Sequence, residues 1–403
     1  MHNLAIETRE QTCYSVGPNG GCMKIATVEG FHLAAPLRRP EGNALGFRST
    51  REALLLRLTT DSGVSGWGEA GPAPHGTSAY LNQVIAPALI GRDAQAIGPI
   101  WHDLMKRRGY DRQGVAVMAI SAVDIALHDL VAQARGLSVA EMLGGALRTS
   151  HFAYASGPYL VQGEDPYAGF LDEIQGFVDA GFRAVKPRVG GANRATVQFV
   201  QDLRRRLGDG IALMIDLNGG YAPPDAQALL ADLADVRLIW AEEPVALDDL
   251  SGNARVARTA STPIATGESL STVQAFRALM EQTGVSIIQP DLTVCGGYTG
   301  MQHVVGLARA YDVTVIPHVW GSVVGFQAAL QMIAVLPDCP NSRAEMYPWV
   351  ELDCAENPFM TLQGTVRPDA RGRIELPNGK GLGLELLAPE HLSPWLAKSW
   401  RVC

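Results

Sequence analysis

Three acidic residues lie at equal intervals in the middle of the chain: Asp216, Glu242 and Glu268. Each closes a short apolar run of the kind that forms a buried β-strand. The interval fits one strand plus one crossover helix, so consecutive parallel strands of a closed barrel would bring the three carboxylates to one rim. Clustered carboxylates favour a hard divalent cation such as Mg²⁺. The spacing therefore predicts a magnesium site, in preference to three unrelated acids at strand ends.

Strands and helices alternate from about residue 150 onward, and this order predicts a (β/α) barrel. Amphipathic stretches such as Ala168–Ala180 and Ala195–Leu207 supply the helices. Eight segments are predicted as barrel strands: Phe152–Ala155, Ala184–Lys186, Ala212–Asp216, Leu238–Glu242, Ile264–Thr266, Ile287–Gln289, Val313–Ile316 and Ala344–Met346. The active site of such a barrel lies at the C-terminal strand ends, and seven successive strand ends here carry ionisable groups.

The residues before the barrel follow a different order, with strands first and helices afterwards, which indicates an α+β module. Its strands read as an antiparallel meander ending at Glu69, and its helices as Thr77–Ile90, Ile97–Lys106 and Val115–Arg135. The predicted division is a flexible arm at 1–22, an α+β capping domain at 23–147, the barrel at 148–347 and a segment at 348–403 that packs back on the capping domain.

Composition excludes several classes of protein. The chain has 403 residues, 47% of them hydrophobic and only 18% charged, which suits folded domains with sizeable cores. The net charge of −8, without a long basic run, argues against nucleic acid as a partner. The apolar runs fall short of a membrane span, and the polar N-terminus has no signal-peptide core. The six cysteines show no zinc spacing, which indicates reduced thiols in a cytoplasmic protein.

A set of motifs across most of residues 23–385 resembles the enolase superfamily, in its mandelate racemase subgroup. Besides the three carboxylates, the motifs are Gly66–Glu69, Ala122–Asp129, Leu143–Gly145, Glu243-Pro244, Asp291 and His318. The resemblance implies a modified TIM (β/α) barrel under an N-terminal capping domain, Mg²⁺ at Asp216, Glu242 and Glu268, and a His318–Asp291 dyad. It also implies a reaction that begins by removing the proton α to a carboxylate. Residues 317–322 and 357–359 are most similar to acid-sugar dehydratases and a galactarolactone cycloisomerase.

The residue types suit that chemistry. A proton α to a carboxylate is weakly acidic because its removal makes a dianionic enediolate, which a bound Mg²⁺ can stabilise. A base is needed on one face of that carbon, and His318 titrates near neutral pH. Asp291, on the neighbouring strand, can fix the tautomer of His318. The alternatives are a packed strand-end histidine and a helix-capping aspartate.

Lys186 and Arg188 depart from the family's usual lysine–any–lysine pattern. The second lysine of that pattern serves as a base on the face opposite the histidine, whereas an arginine stays protonated and binds anions. Lys186 remains a candidate base if its pKa is lowered by burial or neighbouring cations. We expect instead that both cations hold the substrate carboxylate. A site with one base suits elimination better than racemisation.

Six further residues are predicted to bind substrate or to support the site. Glu345 matches the family's eighth-strand glutamate, either as a protonated partner of the substrate carboxylate or as an ion-pair partner of Lys186 or Arg188. Asn218 contacts substrate or supports its loop. Two capping-domain loops, 34–47 and 71–78, are expected to close the barrel mouth; they and their flank carry Arg38, Arg39, Arg48 and His75. These side chains suit a polyhydroxylated, dicarboxylic sugar acid, although each alone also suits a solvated loop.

The sequence therefore predicts a Mg²⁺-dependent acid-sugar dehydratase, a lyase. The alternatives are a sugar-acid lactone cycloisomerase, a racemase or epimerase of a 2-hydroxy acid, and a sugar-acid-binding protein that has lost catalysis. The expected partners are a small sugar-acid substrate and further copies of the same chain, with neither nucleic acid nor membrane.

Overall fold

The computed structural model describes residues 22–337 and 347–403. Its first module is an antiparallel meander of β1 (Ile25–Asn43), β2 (Gly46–Thr60) and β3 (Ser65–Ala70). The last strand, β14 (Leu396–Val402), pairs with the other edge of β1. The C-terminus of the chain therefore completes the sheet that the N-terminal module begins. Apart from Cys22, the predicted arm lies outside the described residues.

The helices of the capping module pack on one face of this sheet, apart from the short last helix, whose Val139 joins the core shared with the barrel. They are α1 (Pro74–Tyr80), a π-helical turn (Leu81–Ile85), α2 (Ala86–Leu89), α3 (Ile97–Arg107), α4 (Val115–Arg135) and α5 (Val139–Met142). Leu54 and Leu56 of β2 enter the core formed with these helices, whereas Leu33 and Leu55 enter the core shared with the barrel. Side chains alternate along a strand, so the sheet separates a helix-covered face from a barrel-covered face.

Close packing of β3 on α4 explains the glycines in the Gly66–Glu69 motif. A Cβ atom at Gly68 would clash with the carbonyl oxygen of Ala122, and one at Gly66 with that of Ala126. By length and composition α4 could cross a membrane, but 89% of its apolar window is buried inside the fold. It is therefore the central core helix of the capping domain.

The barrel is built from parallel strands separated by seven helices among the described residues. Its strands are β4 (Ser150–Ser156), β5 (Ala184–Lys186), β6 (Ala212–Leu213) continued as β7 (Ile215–Asp216), β8 (Ala241–Glu242), β9 (Ile264–Thr266), β10 (Ile287–Ile288), β11 (Thr314–Val315) and β12 (Trp349–Asp353). The helices are α6 (Phe170–Asp179), α7 (Asn193–Leu207), α8 (Pro223–Asp232), α9 (Leu250–Thr259), α10 (Val273–Thr283), α11 (Gly297–Ala310) and α12 (Val323–Val335). This confirms the predicted modified barrel with an N-terminal capping domain.

The eighth strand position differs from the prediction. Residues 344–346, where the strand was expected, lie outside the described residues. The strand that pairs in parallel with β4 is β12, with Trp349 opposite Phe152 and Asp353 opposite Ser156. The barrel therefore extends into the segment that the sequence assigned to the tail. Two strands follow β12 in the chain. They are β13 (Arg373–Glu375), which pairs with β4, and β14, which pairs with β1.

The predicted loop at 34–47 is also different, because it forms the end of a long β-hairpin. Strands β1 and β2 stay paired up to Asn43 and Gly46, with a register shift between Pro36 and Glu41. Proline has no backbone N–H to donate to a β-ladder, and strands therefore accommodate proline at irregular positions such as this register shift after Pro36. The hairpin tip reaches the barrel, where Gly42 and Leu160 exchange two backbone hydrogen bonds of 3.0 and 2.7 Å.

Candidate active site

An apolar layer crosses the barrel interior directly below the candidate site. Each of the eight strand positions contributes one side chain to this cluster: Tyr154, Ala184, Met214, Trp240, Ala265, Ile287, Ile316 and Trp349. Because successive side chains of a strand alternate in direction, the residues two positions further along point into the same barrel at the next level. The apolar layer therefore forms the floor beneath the side chains of that next level.

The next level is polar on nearly every strand. The residues two positions beyond the floor are Ser156, Lys186, Asp216, Glu242, Gly267, Gln289, His318 and Glu351. Almost all of their side chains are buried. Burying so many polar groups costs free energy, and this arrangement at the C-terminal strand ends is typical of an active site.

The three predicted metal ligands lie on neighbouring strands. Asp216 and Glu242 are opposite each other in the β7–β8 pairing. Glu268 comes one residue later than the alternation requires, since Gly267 occupies that level of β9. Gly267 has a φ of +116°, a backbone conformation that other residues adopt at a cost. This glycine redirects the chain so that Glu268 lies 3.4 Å from Nε2 of His318.

The charges of these groups fit a divalent cation. Burial, together with the charges of Glu242 and Glu268, raises the pKa of Asp216 to about 7 against the opposing effect of Lys186 and Arg188. The pKa of Glu243 is raised well above its usual value by burial and then by the same three carboxylates. A cluster of oxygen donors that repel one another is the donor set that Mg²⁺ neutralises. Glu243 belongs to this cluster, and the paired acids of the Glu-Glu-Pro motif were its signal in the sequence.

The predicted dyad is formed. Nδ1 of His318 lies 2.8 Å from Oδ2 of Asp291, whose other oxygen accepts hydrogen bonds of 2.7 Å from the backbone and the hydroxyl of Thr293. Asp291 therefore fixes the imidazole with Nε2 directed at Glu268. Burial lowers the pKa of His318, but Glu268 and the Asp291 hydrogen bond outweigh burial and raise it. A cation held by Glu268 would counteract that increase.

Lys186 is enclosed by two carboxylates. Its Nζ lies 2.6 Å from Oε1 of Glu242 and 2.9 Å from Oε1 of Glu351, and all three side chains have no exposed surface. Burial lowers the pKa of Lys186, but Glu242, Glu351 and Asp216 more than offset it, so the net shift is upward. A lysine held in this way keeps its proton, which makes it a poor base.

Glu351 is the functional residue that the sequence analysis missed. Glu345, chosen for this role, lies outside the described residues. Glu351 accepts hydrogen bonds from the Ser156 hydroxyl at 2.6 Å and from the Val319 backbone at 3.1 Å. Burial raises its pKa, but Lys186 and other cations outweigh it and lower the pKa overall. Glu351 is thus an ion-pair partner of Lys186, whereas the two roles considered for Glu345 stay predictions.

A repeated motif could have found it. Trp240 and Glu242 occupy the floor and the polar level of one strand, and Trp349 and Glu351 occupy the same two levels of the eighth. The Trp-any-Glu pattern therefore occurs at both strand ends.

Arg188 and Asn218 both contact the first metal-ligand candidate. Nε of Arg188 lies 3.4 Å from Oδ2 of Asp216, and its guanidinium lies 4.5 Å from the centre of the Tyr159 ring. The backbone and side-chain amides of Asn218 bond to Asp216 at 2.9 and 3.1 Å. The Asn218 Oδ1 atom and the Arg188 Nε atom are buried and have no hydrogen-bond partner among the described residues. These two atoms can bind an incoming polar ligand.

The capping domain contributes an arginine cluster at the same end of the barrel. The guanidinium of Arg48 lies 4.8 Å from the ring centres of both Tyr159 and Trp320, and Trp320 donates its indole hydrogen to Tyr159 at 3.0 Å. Arg51, which the sequence analysis did not single out, is fully buried and pairs with Asp353 at 2.8 Å. The hairpin thus contacts the loop after His318.

The remaining predicted cap residues lie elsewhere. Arg38 pairs with Glu356 at 3.2 Å and Arg39 with Glu173 at 2.9 Å, both as exposed ion pairs between cap and barrel. His75 is 76% exposed and lies 3.4 Å from Glu52. Arg51, the residue before Glu52 on β2, points to the barrel. Alternation along β2 places Glu52, and with it His75, on the opposite face of the sheet. His75 is therefore not brought together with the barrel residues.

Glu69, at the end of the Gly66–Glu69 motif, connects the cap to the loop that carries His318. One carboxylate oxygen accepts the backbone N–H of Ser322 at 2.8 Å; the other accepts the Ser322 hydroxyl at 2.6 Å and the Gly325 N–H at 2.7 Å. These donors belong to the first turn of α12, where a negative charge is favourable. A side chain at Gly321 would clash with Glu69. The carboxylate thus fixes the path of residues 321–325.

Replacing Glu69 with Gln should lower kcat by about 10- to 100-fold, because a small shift of the His318 loop misplaces the reacting groups. Mg²⁺ affinity, measured by calorimetry, should not change, since Glu69 is not among the clustered carboxylates. Glu375→Gln, at an exposed position, is the matched control. Equal kcat in the wild type and the Glu69 variant would show that the carboxylate does not position the loop.

The effect of Glu69→Gln on stability should depend on pH. Burial raises the pKa of Glu69 from 4.5 to about 7, in spite of the hydrogen bonds that lower it. The folded protein then binds this proton more tightly than the unfolded chain, and the resulting stabilisation is lost as pH rises from 4.5 to 7. The stability of the wild type relative to Glu69→Gln should therefore fall across that window in urea unfolding experiments. A constant difference would contradict the raised pKa.

Comparisons with known proteins agree with this geometry. Residues 25–144 match the family model of the mandelate racemase / muconate lactonizing enzyme N-terminal domain, and residues 169–390 match that of enolase C-terminal domain-like proteins. The D-galactarolactone cycloisomerase of Agrobacterium fabrum is 32% identical over 90% of this chain and 97% of its own length. The D-galactonate dehydratase of Variovorax paradoxus is 31% identical over 71% and 76%, respectively.

Solved structures are similar over nearly the whole chain. The 3,6-anhydro-D-galactonate cycloisomerase from Zobellia galactanivorans has a TM-score of 0.83 at 28% identity, covering 93% of this chain and 100% of its own. The L-talarate dehydratase from Polaromonas sp. JS666, solved with Mg and L-glucarate, has a TM-score of 0.79 at 26% identity, covering 94% and 99%.

Proposed function

This chain belongs to the enolase superfamily, in its mandelate racemase subgroup, and on that premise we propose that it removes the proton α to the carboxylate of a sugar acid and then eliminates water. The main support for the proposal is the His318–Asp291 dyad beside the carboxylate cluster, in which Nδ1 of His318 lies 2.8 Å from Oδ2 of Asp291. The relatives include sugar-acid dehydratases and cycloisomerases, which supports this substrate class.

We propose Asp216, Glu242 and Glu268 as the residues that hold Mg²⁺, with Glu243 adding negative charge. When bound, Mg²⁺ supplies electrostatic stabilisation for the negative charge that develops on the substrate carboxylate. The similar L-talarate dehydratase structure, solved with Mg, supports this choice of ion. The buried Oδ1 of Asn218 and Nε of Arg188, which have no hydrogen-bond partner among the described residues, are available to orient the substrate beside the cluster.

The proton chemistry then falls to His318. Its Nε2 accepts the α-proton, and the electron pair of the broken C–H bond moves into the carboxylate to give the enediolate. The pair returns to form a carbon–carbon double bond as the bond to the β-hydroxyl breaks. His318 delivers its proton to that hydroxyl, which leaves as water, and the enol product tautomerises to a 2-keto acid. Asp291 stabilises the imidazolium between the two transfers.

The groups around His318 favour elimination over racemisation. A 1,1-proton transfer needs a second group that can exchange a proton on the opposite face. Lys186, paired with Glu242 and Glu351, is held in its charged form, and Arg188 stays protonated. Both side chains are therefore suited to compensating charge and binding anions. The intact dyad and carboxylates also argue against a binding protein without catalysis.

A lactone cycloisomerase is the second candidate, supported by the full-length similarity to the galactarolactone enzyme. The same base would remove the same α-proton, but the ring oxygen would leave in place of a hydroxyl. The product would then have the mass of the substrate, because no water is released.

Turnover of a library of aldonic acids, aldaric acids and their lactones with Mg²⁺ would test the proposal. We expect a keto acid that is lighter than its substrate by one water, detected by mass spectrometry and NMR. A keto acid of unchanged mass from a lactone indicates cycloisomerisation, and an epimer of unchanged mass contradicts elimination. Asp216→Asn should lose both turnover and calorimetric Mg²⁺ binding while keeping its circular dichroism spectrum. Unchanged Mg²⁺ affinity in that variant would contradict the proposed metal site.

A further inference from the structure

A cluster on the capping domain plays no part in the chemistry proposed above. His32 of β1, Glu52 of β2 and His75 of α1 bring two imidazole nitrogens and a carboxylate oxygen within 4.8 Å of one another. Nε2 of His32 lies 2.8 Å from Oε1 of Glu52, and Nε2 of His75 lies 3.4 Å from the same oxygen. The two imidazole rings meet edge to face with centres 4.7 Å apart.

This cluster is separate from the barrel site. Arg51 and Leu55 of β2 point towards the barrel, where Arg51 pairs with Asp353 and Leu55 joins the shared core. Glu52 and Leu54 alternate with them and point to the helix-covered face. His32 is opposite Leu54 in the β1–β2 pairing, and so lies on that same face. The three side chains thus meet between the sheet and the start of α1.

We propose that His32, Glu52 and His75 form a binding site for Zn²⁺ or a similar divalent transition metal. Two histidines and one glutamate are a ligand set that zinc uses when a fourth position is left to water. Imidazole nitrogen also distinguishes this site from the all-oxygen cluster in the barrel, which favours a hard cation.

The environment of each ligand suits this role. His32 is only 6% exposed, so its ring is held by packing. Glu52 is partly exposed and can turn, and His75 is 76% exposed, which leaves the outer side open to water. Ligand atoms around a tetrahedral zinc are about 3.3 Å apart, given bonds of about 2.0 to 2.2 Å. The nitrogen–oxygen separations of 2.8 and 3.4 Å are close to this value, and all three ligand atoms lie within 4.8 Å of one another. Binding would require the carboxylate and the exposed His75 ring to adjust.

Binding would join three separate segments of the cap. The metal would connect β1 and β2 to the first turn of α1, which follows directly after the Gly71–Ala73 segment. An ion that binds only the folded cap must also stabilise it by mass action. We therefore expect saturating Zn²⁺ to raise Tm by at least about 2 °C.

The test is a calorimetric Zn²⁺ titration of tag-free protein held in saturating Mg²⁺, so that the barrel cluster is occupied. We expect one site in the wild type, at least about 30-fold weaker binding in His75→Ala, and unchanged binding in His102→Ala, an exposed histidine on α3. His75 is a suitable position because its exposed side chain can be removed without opening a core. Asp216→Asn, which removes a barrel ligand, should keep the site.

Co²⁺ provides an independent measurement, because nitrogen-ligated four-coordinate Co²⁺ absorbs visible light far more strongly than octahedral Co²⁺ among oxygens. The strong band should appear in the wild type and in Asp216→Asn and be lost in His75→Ala. Absence of Zn²⁺ binding, equal affinity in all variants, or loss of binding in Asp216→Asn alone would each overturn the proposal. None of these results depends on turnover, so they are distinguishable from a failure of the proposed enzymatic function.

Discussion

Replacing His318 with Asn should abolish turnover, with a loss of at least about 10³-fold, because no other group near the carboxylate cluster is suited to accept the α-proton. Nε2 of His318 faces Glu268, whereas Lys186 is held charged between two carboxylates. Exchange of the substrate α-proton in deuterium oxide, followed by NMR, measures proton abstraction without requiring elimination. We expect His318→Asn to lose exchange and dehydration together.

Asp291→Asn is the matched variant for this experiment. It keeps the imidazole but weakens the 2.8 Å hydrogen bond that orients it, so a smaller loss of about 10- to 100-fold is expected. If His318→Asn still exchanges the α-proton while Lys186→Met does not, Lys186 is the base. His318 would then serve only as the acid for the departing hydroxyl.

Lys186→Met should have the largest effect on stability, lowering the free energy of unfolding by about 3–5 kcal/mol. The substitution leaves Glu242 and Glu351 charged, fully buried and without their shared cation. Breaking a buried ion pair on one side costs more than the pair contributes, because the remaining charge stays desolvated. Urea unfolding without Mg²⁺, at a pH where the carboxylates are ionised, measures this loss.

Two further variants make the Lys186 experiment specific. Lys398→Met, at an exposed position on β14, should change the stability by less than about 0.5 kcal/mol. The double variant Lys186→Met with Glu351→Gln should recover part of the loss, because one of the unpaired charges is removed. A loss below about 1 kcal/mol in the single variant would mean that water reaches these carboxylates and that the ion-pair network is not closed.

Local pattern was sufficient to predict the barrel and the meeting of acidic side chains at its rim. Each of Asp216 and Glu242 ends an apolar run, and because parallel strands of one barrel share a direction, the two had to meet at one rim. These predictions rest on period and spacing, which a sequence contains directly. The His318–Asp291 pair was instead implied by the resemblance to a known family, and the two side chains do meet at neighbouring strand ends.

The errors have a common cause in pairing between distant segments. The eighth strand was placed on Glu345 because Ala344–Met346 looked strand-like, whereas the register with β4 selects Trp349–Asp353 and therefore Glu351. The segment 34–47 was predicted as a loop, but pairing with β2 holds it extended around a register shift. Register depends on the partner strand, which local sequence does not specify.

The sequence by itself thus determined which residues end most of the barrel strands and what chemistry their side chains can perform. The tertiary structure decided the protonation and direction of those side chains. Lys186 is a poor base in this arrangement because Glu242 and Glu351 surround it, and neither is near it in sequence. His75 points away from the barrel because the face of β2 that carries Glu52 packs against α1. A pKa and a side-chain direction depend on neighbours brought together by packing, and those neighbours exist only in the folded chain.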